Sequence, residues 1–445
     1  MRFYTISLLV FLLGIVPARG FQTEPFQLES GETLQWYKGN LHTHSLWSDG
    51  DDYPEMIAAW YKDHDYHFLV FTDHNVLHNR ERWIDIDRNK GGRKAFSKLT
   101  DAFTGDWVET RTMEVGEGDK EEVREEVRLK MFDEVFERFA EPGKYLLIQG
   151  EEISDAFAGA PVHLCASHLA EVLPPMRGES LTETIQNNIN AVIAYRERTG
   201  VTTMVHLNHP NFQYAITAED MIPVVGERFF EVFNGHPSVH NTGNDQHAST
   251  ERIWDIVNTF RLSQYDLPLM YGIATDDGHS YHVTEPGKGS QPGRGWVQVL
   301  ADRLEPDTLV QALEKGAFYG SSGVELSHVS WRDNSLKLEI VPEDGVTYKI
   351  DFIGTRREFD SSSQPAVDDP AKADRVTRVY SKDIGEVFKS VTGTSAEYTC
   401  TGDELYVRAV VTSSMPHPNP SEAGDFQKAW VQPVVVTPAK TSSVD

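Results

Sequence analysis

Cysteine is nearly absent from this 445-residue chain: Cys165 and Cys400 are the only two. That is too few for a disulfide framework or a cysteine-built zinc site. They fall in different expected domains and are read as free thiols. Positive charge is also in short supply, with 41 Lys and Arg against 68 Asp and Glu, a formal net charge of −27. A surface that acidic repels phosphate backbones, so nucleic-acid binding by bulk charge is excluded. Long apolar runs are missing apart from Phe3 to Val16, which follows Met1-Arg2 and precedes Pro17-Ala18-Arg19-Gly20. That run is shorter than the ~20 residues a spanning helix needs. Its single positive charge, short apolar core and small residues at Ala18 and Gly20 fit a secretory signal, residues 1–20, cleaved after Gly20. The mature protein is expected to be secreted or periplasmic, with no membrane attachment. Gly-x-Ser-x-Gly, Gly-x-Gly-x-x-Gly and P-loop patterns are lacking, which removes support for a serine-hydrolase elbow, a dinucleotide site or an NTP site.

What the chain does have is ordinary globular composition, 39% hydrophobic and 11% aromatic, and 17 histidines. At ~100–200 residues per domain the length allows two or three domains. From Leu41 to about Gly323 short apolar runs alternate with helical patterns. The strand-like runs are Leu41–His44, Phe68–Phe71, Tyr145–Ile148, Val201–Leu207, Phe229–Phe233 and Leu267–Ala274. Ser180-Leu181-Thr182-Glu183 is a capping box that opens a helix ending at Gly200, and further helices start after Ser249 and at Pro306. This alternation predicts parallel strands joined by crossover helices, in an open sheet or a barrel. A charged insertion occupies about residues 85–144. Within it Val123, Val127, Met131, Val135 and Phe139 recur at four-residue steps, which predicts one helix with a charged outer face. After Gly323 short alternating strands predict a separate small β-sandwich over 325–438.

Chemistry concentrates at the ends of the predicted strands. His42-Thr43-His44 is followed by Ser48-Asp49-Gly50; then come Thr72-Asp73-His74, Glu151-Glu152, His163 in a loop-like stretch, His206-Leu207-Asn208-His209 and Asp276-Asp277-Gly278-His279. In a parallel α/β barrel the C-terminal strand ends converge on one mouth. Residues i and i+2 of a strand share a face, so His42 with His44, and Asp277 with His279, can chelate together. Imidazole and carboxylate without thiolate suit Zn, Mn or Fe at an open site. So many candidates exceed one coordination sphere and imply two or three divalent ions.

The runs Lys38-Gly39-Asn40-Leu41-His42-Thr43-His44-Ser45, Ser48-Asp49-Gly50 and Thr72-Asp73-His74 resemble the PHP (polymerase and histidinol phosphatase) metal-dependent hydrolases. Glu152, His163, Asn208-His209-Pro210 and Asp277-Gly278-His279 extend the likeness over roughly residues 36–323. Glu231-Val232-Phe233-Asn234-Gly235 and the run from Gly316 to Gly323 look most like the secreted, carbaryl-hydrolase-like branch. The resemblance implies an α/β fold, a distorted (β/α)7 barrel over 36–323 carrying a two- or three-metal site. It implies that His42, His44, Glu152 and Asp277 hold one metal, that Glu152 bridges to a second held by His163 and His209, and that Asp49, His74 and His279 hold a third. Glu151 competes with Glu152, and Asp276 with Asp277; the second of each pair is preferred. Arg294 is a candidate anchor for an anionic substrate, and Asn208, His236 and Ser322 are further pocket candidates.

The function expected on these grounds is a phosphoesterase acting on a small anionic substrate through a metal-activated hydroxide. Two alternatives stay open: the same site hydrolysing esters, amides or carbamates, and a metal-bearing protein that only binds. The chain does not reveal its oligomeric state.

Overall fold

The apolar runs form strands where they alternate with turn residues, and the periodic segments between them form helices. The computed structural model describes residues 34–116, 122–367 and 375–438, so the expected signal segment lies outside the described residues. The first half comprises β1 (Gln35–Asn40), α1 (Pro54–Asp63), β2 (Phe68–Phe71), β3 (Trp83–Asp85), α2 (Gly92–Ala102), β4 (Thr110–Val115), β5 (Glu122–Arg128), α3 (Phe132–Phe139), β6 (Leu146–Phe157), β7 (Ala160–Ser167), α4 (Leu181–Thr199), β8 (Met204–Leu207), α5 (Ala218–Met221) and β9 (Phe229–Asn234). It continues through α6 (Thr250–Ser263), β10 (Tyr271–Thr275), β11 (Trp296–Ala301), α7 (Pro306–Glu314) and β12 (Phe318–Ser321). The last part is all strand: β13 (Leu326–Arg332), β14 (Ser335–Ile340), β15 (Tyr348–Arg356), β16 (Ser363–Gln364), β17 (Val379–Tyr380), β18 (Glu386–Thr392), β19 (Ser395–Thr399), β20 (Glu404–Pro416) and β21 (Phe426–Val435).

This is a mixed α/β protein around one large sheet. Among the described residues its strand order is β10-β9-β8-β7-β6-β2-β1-β11-β12-β21-β20-β15-β18. Neighbours β1–β2, β2–β6, β8–β9 and β9–β10 are parallel, as crossover helices require. The expectation of parallel strands throughout needs correction at β11, which is antiparallel to β1 and β12, and at β7, which runs antiparallel between β6 and β8. The hairpin of β6 and β7 shows how the second arises. Strand β6 runs on to Phe157, which faces Ala160, and the two residues between, Ala158 and Gly159, have φ of 49° and 85°. That is the left-handed pair a tight hairpin needs.

The four-residue repeat of the insertion also needs correction. Val123 and Val127 lie on β5, paired to β3 and β4, and the helix α3 begins only at Phe132. A step of four is even, so it keeps one face of a strand as well as of a helix. The helices after Ser180, Ser249 and Glu305 form where expected; Ser180 Oγ accepts the Glu183 N–H, and Gly200 closes α4 at φ 73°.

A core of Ile185, Ile189, Val192, Val205, Phe230, Trp254 and Val257 packs α4 and α6 against the sheet. The last strands share a second core, Leu336, Leu338, Ile350, Phe352, Val407 and Val431, between β13-β14-β19 and the far end of the large sheet. That end is hydrogen-bonded to the rest through β12 and β21. Cys165 and Cys400 are both buried and free.

Candidate metal centre

Strand β1 stops at Asn40, and the chain bends at Leu41. Thr43 bridges to Gly278, and Thr72 Oγ1 accepts the Thr43 N–H at 2.8 Å. This seats His42 and His44 side by side, between the end of β2 and the loop after β10. Asn40 secures the turn by donating to the His42 carbonyl and to Thr43 Oγ1 while accepting the Asp276 N–H. The following loop is tied by Asp73, whose carboxylate accepts from Ser45 N, Ser45 Oγ, Ser48 Oγ and His78 Nε2. Those partners hold Asp73 well below the usual carboxylate range, against the opposite push of burial. Gly50 closes the loop where a Cβ would stand 2.5 Å from the His44 carbonyl oxygen. Only glycine fits that approach, and it brings Asp49 back toward His44.

All nine expected ligands meet here. His42 Nε2 lies 3.0 Å from His44 Nε2, 3.4 Å from Glu152 Oε1 and 3.3 Å from Asp277 Oδ1. His44 Nε2 is 3.5 Å from Glu152 Oε2 and 3.3 Å from Asp277 Oδ1. On the other side of Glu152 stand His74 Nδ1 at 2.7 Å, His163 Nδ1 at 3.1 Å and His209 Nε2 at 3.4 Å. Asp49 Oδ1 lies 3.4 Å from His74 Nε2, 3.2 Å from His279 Nε2 and 3.7 Å from His44 Nδ1. His163 belongs to β7 opposite Ser154, not to a loop as its surroundings in the sequence suggest. His209 and Asp277 hold their places with φ of 25° and 48°, a costly left-handed backbone that clusters at functional sites.

Side-chain direction separates the two members of each competing acidic pair. Glu151 alternates to the opposite face from Glu152, where its Oε1 accepts the Leu173 N–H, and burial pushes it up to about 7. Asp276 accepts from Arg294 N, Gly295 N and Tyr61 OH, a structural knot beside the cluster. Arg294 requires a correction. Its guanidinium is fully buried: Nη1 and Nη2 donate to the carbonyls of Gly235, Gly289 and Lys288 and to Asn419 Oδ1, and Nε, without a partner among the described residues, is buried as well, which leaves no exposed donor for a substrate. Ser322 Oγ accepts the Lys428 N–H and serves the sheet. The Asn208 amide donates to Glu152 Oε1 at 2.7 Å, and the His236 ring stands edge-on to His279.

The residue that sequence reasoning missed is Glu231. This fully buried carboxylate accepts from His42 Nδ1 at 2.7 Å and Thr275 Oγ1 at 2.8 Å on one oxygen, and from His209 N and Asn234 Nδ2, both at 2.8 Å, on the other. Its signal was a lone acid inside the apolar strand Phe229–Asn234, a costly placement unless partners await it. His206, inside the equally apolar β8, lies 3.6 Å from the same carboxylate.

The donor set fits divalent cations. Glu152 Oε2 and Asp277 Oδ1 are buried with no hydrogen bond of acceptable geometry, although imidazole nitrogens surround both. Two imidazole lone pairs 3.0 Å apart, as on His42 and His44, repel unless a proton or a cation lies between them. Zinc bonds of 2.0–2.1 Å in a tetrahedron separate ligand atoms by about 3.3 Å, the spacing found around Glu152 and Asp277. Burial, with His279 and His74 beside it, draws His44 down to about 4, so its ring is neutral and has a lone pair to give. Burial disfavours charge on Glu152 and Asp277, but the surrounding imidazoles overcome it and hold both well below the usual carboxylate range. Groupings such as His42–His44–Glu152, His74–Glu152–His163 and His44–Asp49–His74–His279 can each enclose an ion.

No family model matches the chain, and no curated protein matches it. Among solved structures it is similar to a two-domain protein from Bacteroides vulgatus containing a predicted PHP-like metal-dependent phosphoesterase, at 14% identity and TM-score 0.37, over 91% of this chain and 99% of that one. It is also similar to a protein from Bifidobacterium adolescentis assigned as a metal-dependent phosphoesterase (12% identity, TM-score 0.29, 62% of this chain and 96% of that one). An amidohydrolase from Chromobacterium violaceum with bound sulfate and no metal is a third, at 12% identity and TM-score 0.24, over 55% of this chain and 88% of that one.

Proposed function

We propose that the protein is a metal-dependent hydrolase of phosphate esters, using two or three divalent ions of zinc, manganese or iron. The observation that carries this reading is the pair of buried, undonated oxygens Glu152 Oε2 and Asp277 Oδ1 inside a ring of imidazoles. His42, His44, Glu152 and Asp277 would hold one ion, Glu152 with His163 and His209 a second, and Asp49, His74 and His279 a third. Such ions, when bound, polarise a phosphoryl oxygen and lower the pKa of water.

The chain's own residues prepare the site for them. Glu231 accepts a hydrogen bond from His42 Nδ1, which keeps the proton there and turns Nε2 toward the cluster to hold an ion. Asn208 fixes the carboxylate of Glu152, and Asp73 fixes the loop that carries Asp49. Three divalent ions against Asp49, Glu152, Asp277 and Glu231 leave +6 − 4 = +2. The pocket thus attracts anions although the chain as a whole is at −27. That local sign favours a phosphate ester over a neutral ester, amide or carbamate. The same proposal includes the distorted seven-stranded barrel over 36–323, a β-sandwich over 325–438, the carbaryl-hydrolase-like branch, and export after loss of residues 1–20. No helix among the described residues is long and apolar enough to cross a membrane.

The test is metal analysis of protein purified without chelator, followed by turnover of phosphate, carboxylate and carbamate esters. The expected result is at least two metals per chain and phosphate release, with His42→Ala losing metal and at least ~100-fold in activity. Turnover of carboxylate or carbamate esters alone would transfer the site to the second chemistry. Metal without any turnover would make it a binding protein, and absence of metal would end the reading.

A further inference from the structure

With Arg294 spent on backbone carbonyls, the cluster lacks its expected cation, and the insertion supplies another. Lys94 and Lys98 stand four residues apart on α2 and share a face, and Lys90 lies just before the helix. Each is placed on a loop that frames the site. Lys98 Nζ pairs with the buried Asp52 carboxylate at 2.6 Å, Lys94 Nζ donates to the His282 carbonyl at 3.0 Å, and Lys90 Nζ donates to the Asp49 carbonyl. The docking is close: a Cβ at Gly91 would stand 2.1 Å from the Asp51 carbonyl oxygen.

Lys90 differs from the other two. Its Nζ is 3.8 Å from Asp49 Oδ2, and among the described residues it is the one lysine or arginine within 4.0 Å of a carboxylate of the nine-residue cluster. An ammonium has three donors. Lys90 gives one to the Asp49 carbonyl, and its side chain is 49% exposed. Asp49 does not need it for charge, since three imidazoles already stand within 3.7 Å of its Oδ1.

We infer that Lys90 anchors a second anionic group of the substrate, so that preferred substrates carry another negative group beside the phosphate held at the metals. This rests on the anion-binding metal site of the proposed function. An ammonium beside the mouth binds such a group as a point charge, with a contribution that falls as salt rises.

The test is calorimetric binding of butylphosphonate and 4-phosphonobutyrate, which share a chain and differ in one carboxylate, to the metal-loaded full-length protein. Wild type is expected to prefer 4-phosphonobutyrate by about fivefold. Lys90→Gln removes the preference at unchanged metal content, and Lys90→Arg keeps it. An equal affinity ratio in wild type and Lys90→Gln, an equal loss for both ligands, or no binding of either overturns the inference. Phosphate release from phenyl phosphate by wild type separates the two claims. Turnover with an unaltered ratio in Lys90→Gln sinks only the role of Lys90; a lysine-dependent preference without turnover sinks only the phosphoesterase reading.

Discussion

Glu231→Gln changes one oxygen for an amide and tests the support of the whole centre. Each carboxylate oxygen of Glu231 accepts from two donors, His42 Nδ1 with Thr275 Oγ1, and His209 N with Asn234 Nδ2. Whichever way the glutamine amide turns, its NH2 replaces an accepting oxygen: on one side it meets the His42 Nδ1–H, while the Thr275 hydroxyl can turn and accept, and on the other it meets the N–H donors of His209 and Asn234. If the NH2 faces His42, the imidazole loses the partner that keeps its proton on Nδ1, and its Nε2 lone pair is no longer fixed toward His44, Glu152 and Asp277. If it faces the other side, the backbone that presents His209 is released. Losing a partner of a metal-ligating histidine costs about 10–100-fold in metal affinity, or roughly 1.4–2.7 kcal/mol. Competition titration with a chromogenic chelator reads that loss directly, and circular dichroism checks that the fold persists. Glu231→Asp, which keeps the charge on a shorter arm, is expected to fall between the two. Retention of metal within about twofold of wild type by a folded Glu231→Gln would refute the reasoning.

Two further perturbations address stability. Burial pushes the Glu55 carboxyl up to about 7, against the help of the Trp107 N–H. Its folded value lies above its unfolded value, so its contribution is intact below about pH 4.5 and is lost as pH rises through 7. Urea unfolding should show Glu55→Gln gaining up to roughly 3 kcal/mol over wild type at pH 8 and almost nothing at pH 4.5; a gain that does not vary with pH counts against this account. Asp255 on α6 receives Arg408 Nε at 2.8 Å, Arg408 Nη2 at 2.7 Å and Tyr406 OH at 2.8 Å, which ties the first core to β20. Asp255→Asn leaves the buried Arg408 guanidinium with only the more distant Glu251, at 3.9 Å, as a charge partner and is expected to cost about 3 kcal/mol by the same measurement, with a loss under about 1 kcal/mol contradicting it.

How far the residues reveal this molecule depends on whether a signal is local. Phe68–Phe71 forms a strand with the bounds its apolar run suggests, and the capping box at Ser180 and the stop at Gly200 frame α4, because each is a short-range preference. The clustered residues were legible for a related reason: His, Asp and Glu at the ends of apolar runs have little structural excuse. What stayed hidden depends on pairing between distant segments. His163 looked like a loop residue because β7 exists only through its hairpin with β6. Val123 and Val127 fit strand and helix equally, and the choice was made by β3 and β4, which offered open edges. Arg294 looked like an anion clamp because a sequence cannot say that Gly235, Gly289 and Lys288 turn their carbonyls toward it. Glu231 could have been found by asking why an acid sits inside an apolar strand: a buried carboxylate survives there only with donors on every side, and two of its four donors, His42 Nδ1 and His209 N, belong to residues of the cluster. The support of the centre was therefore written as an energetic anomaly, while the centre itself was written as a motif.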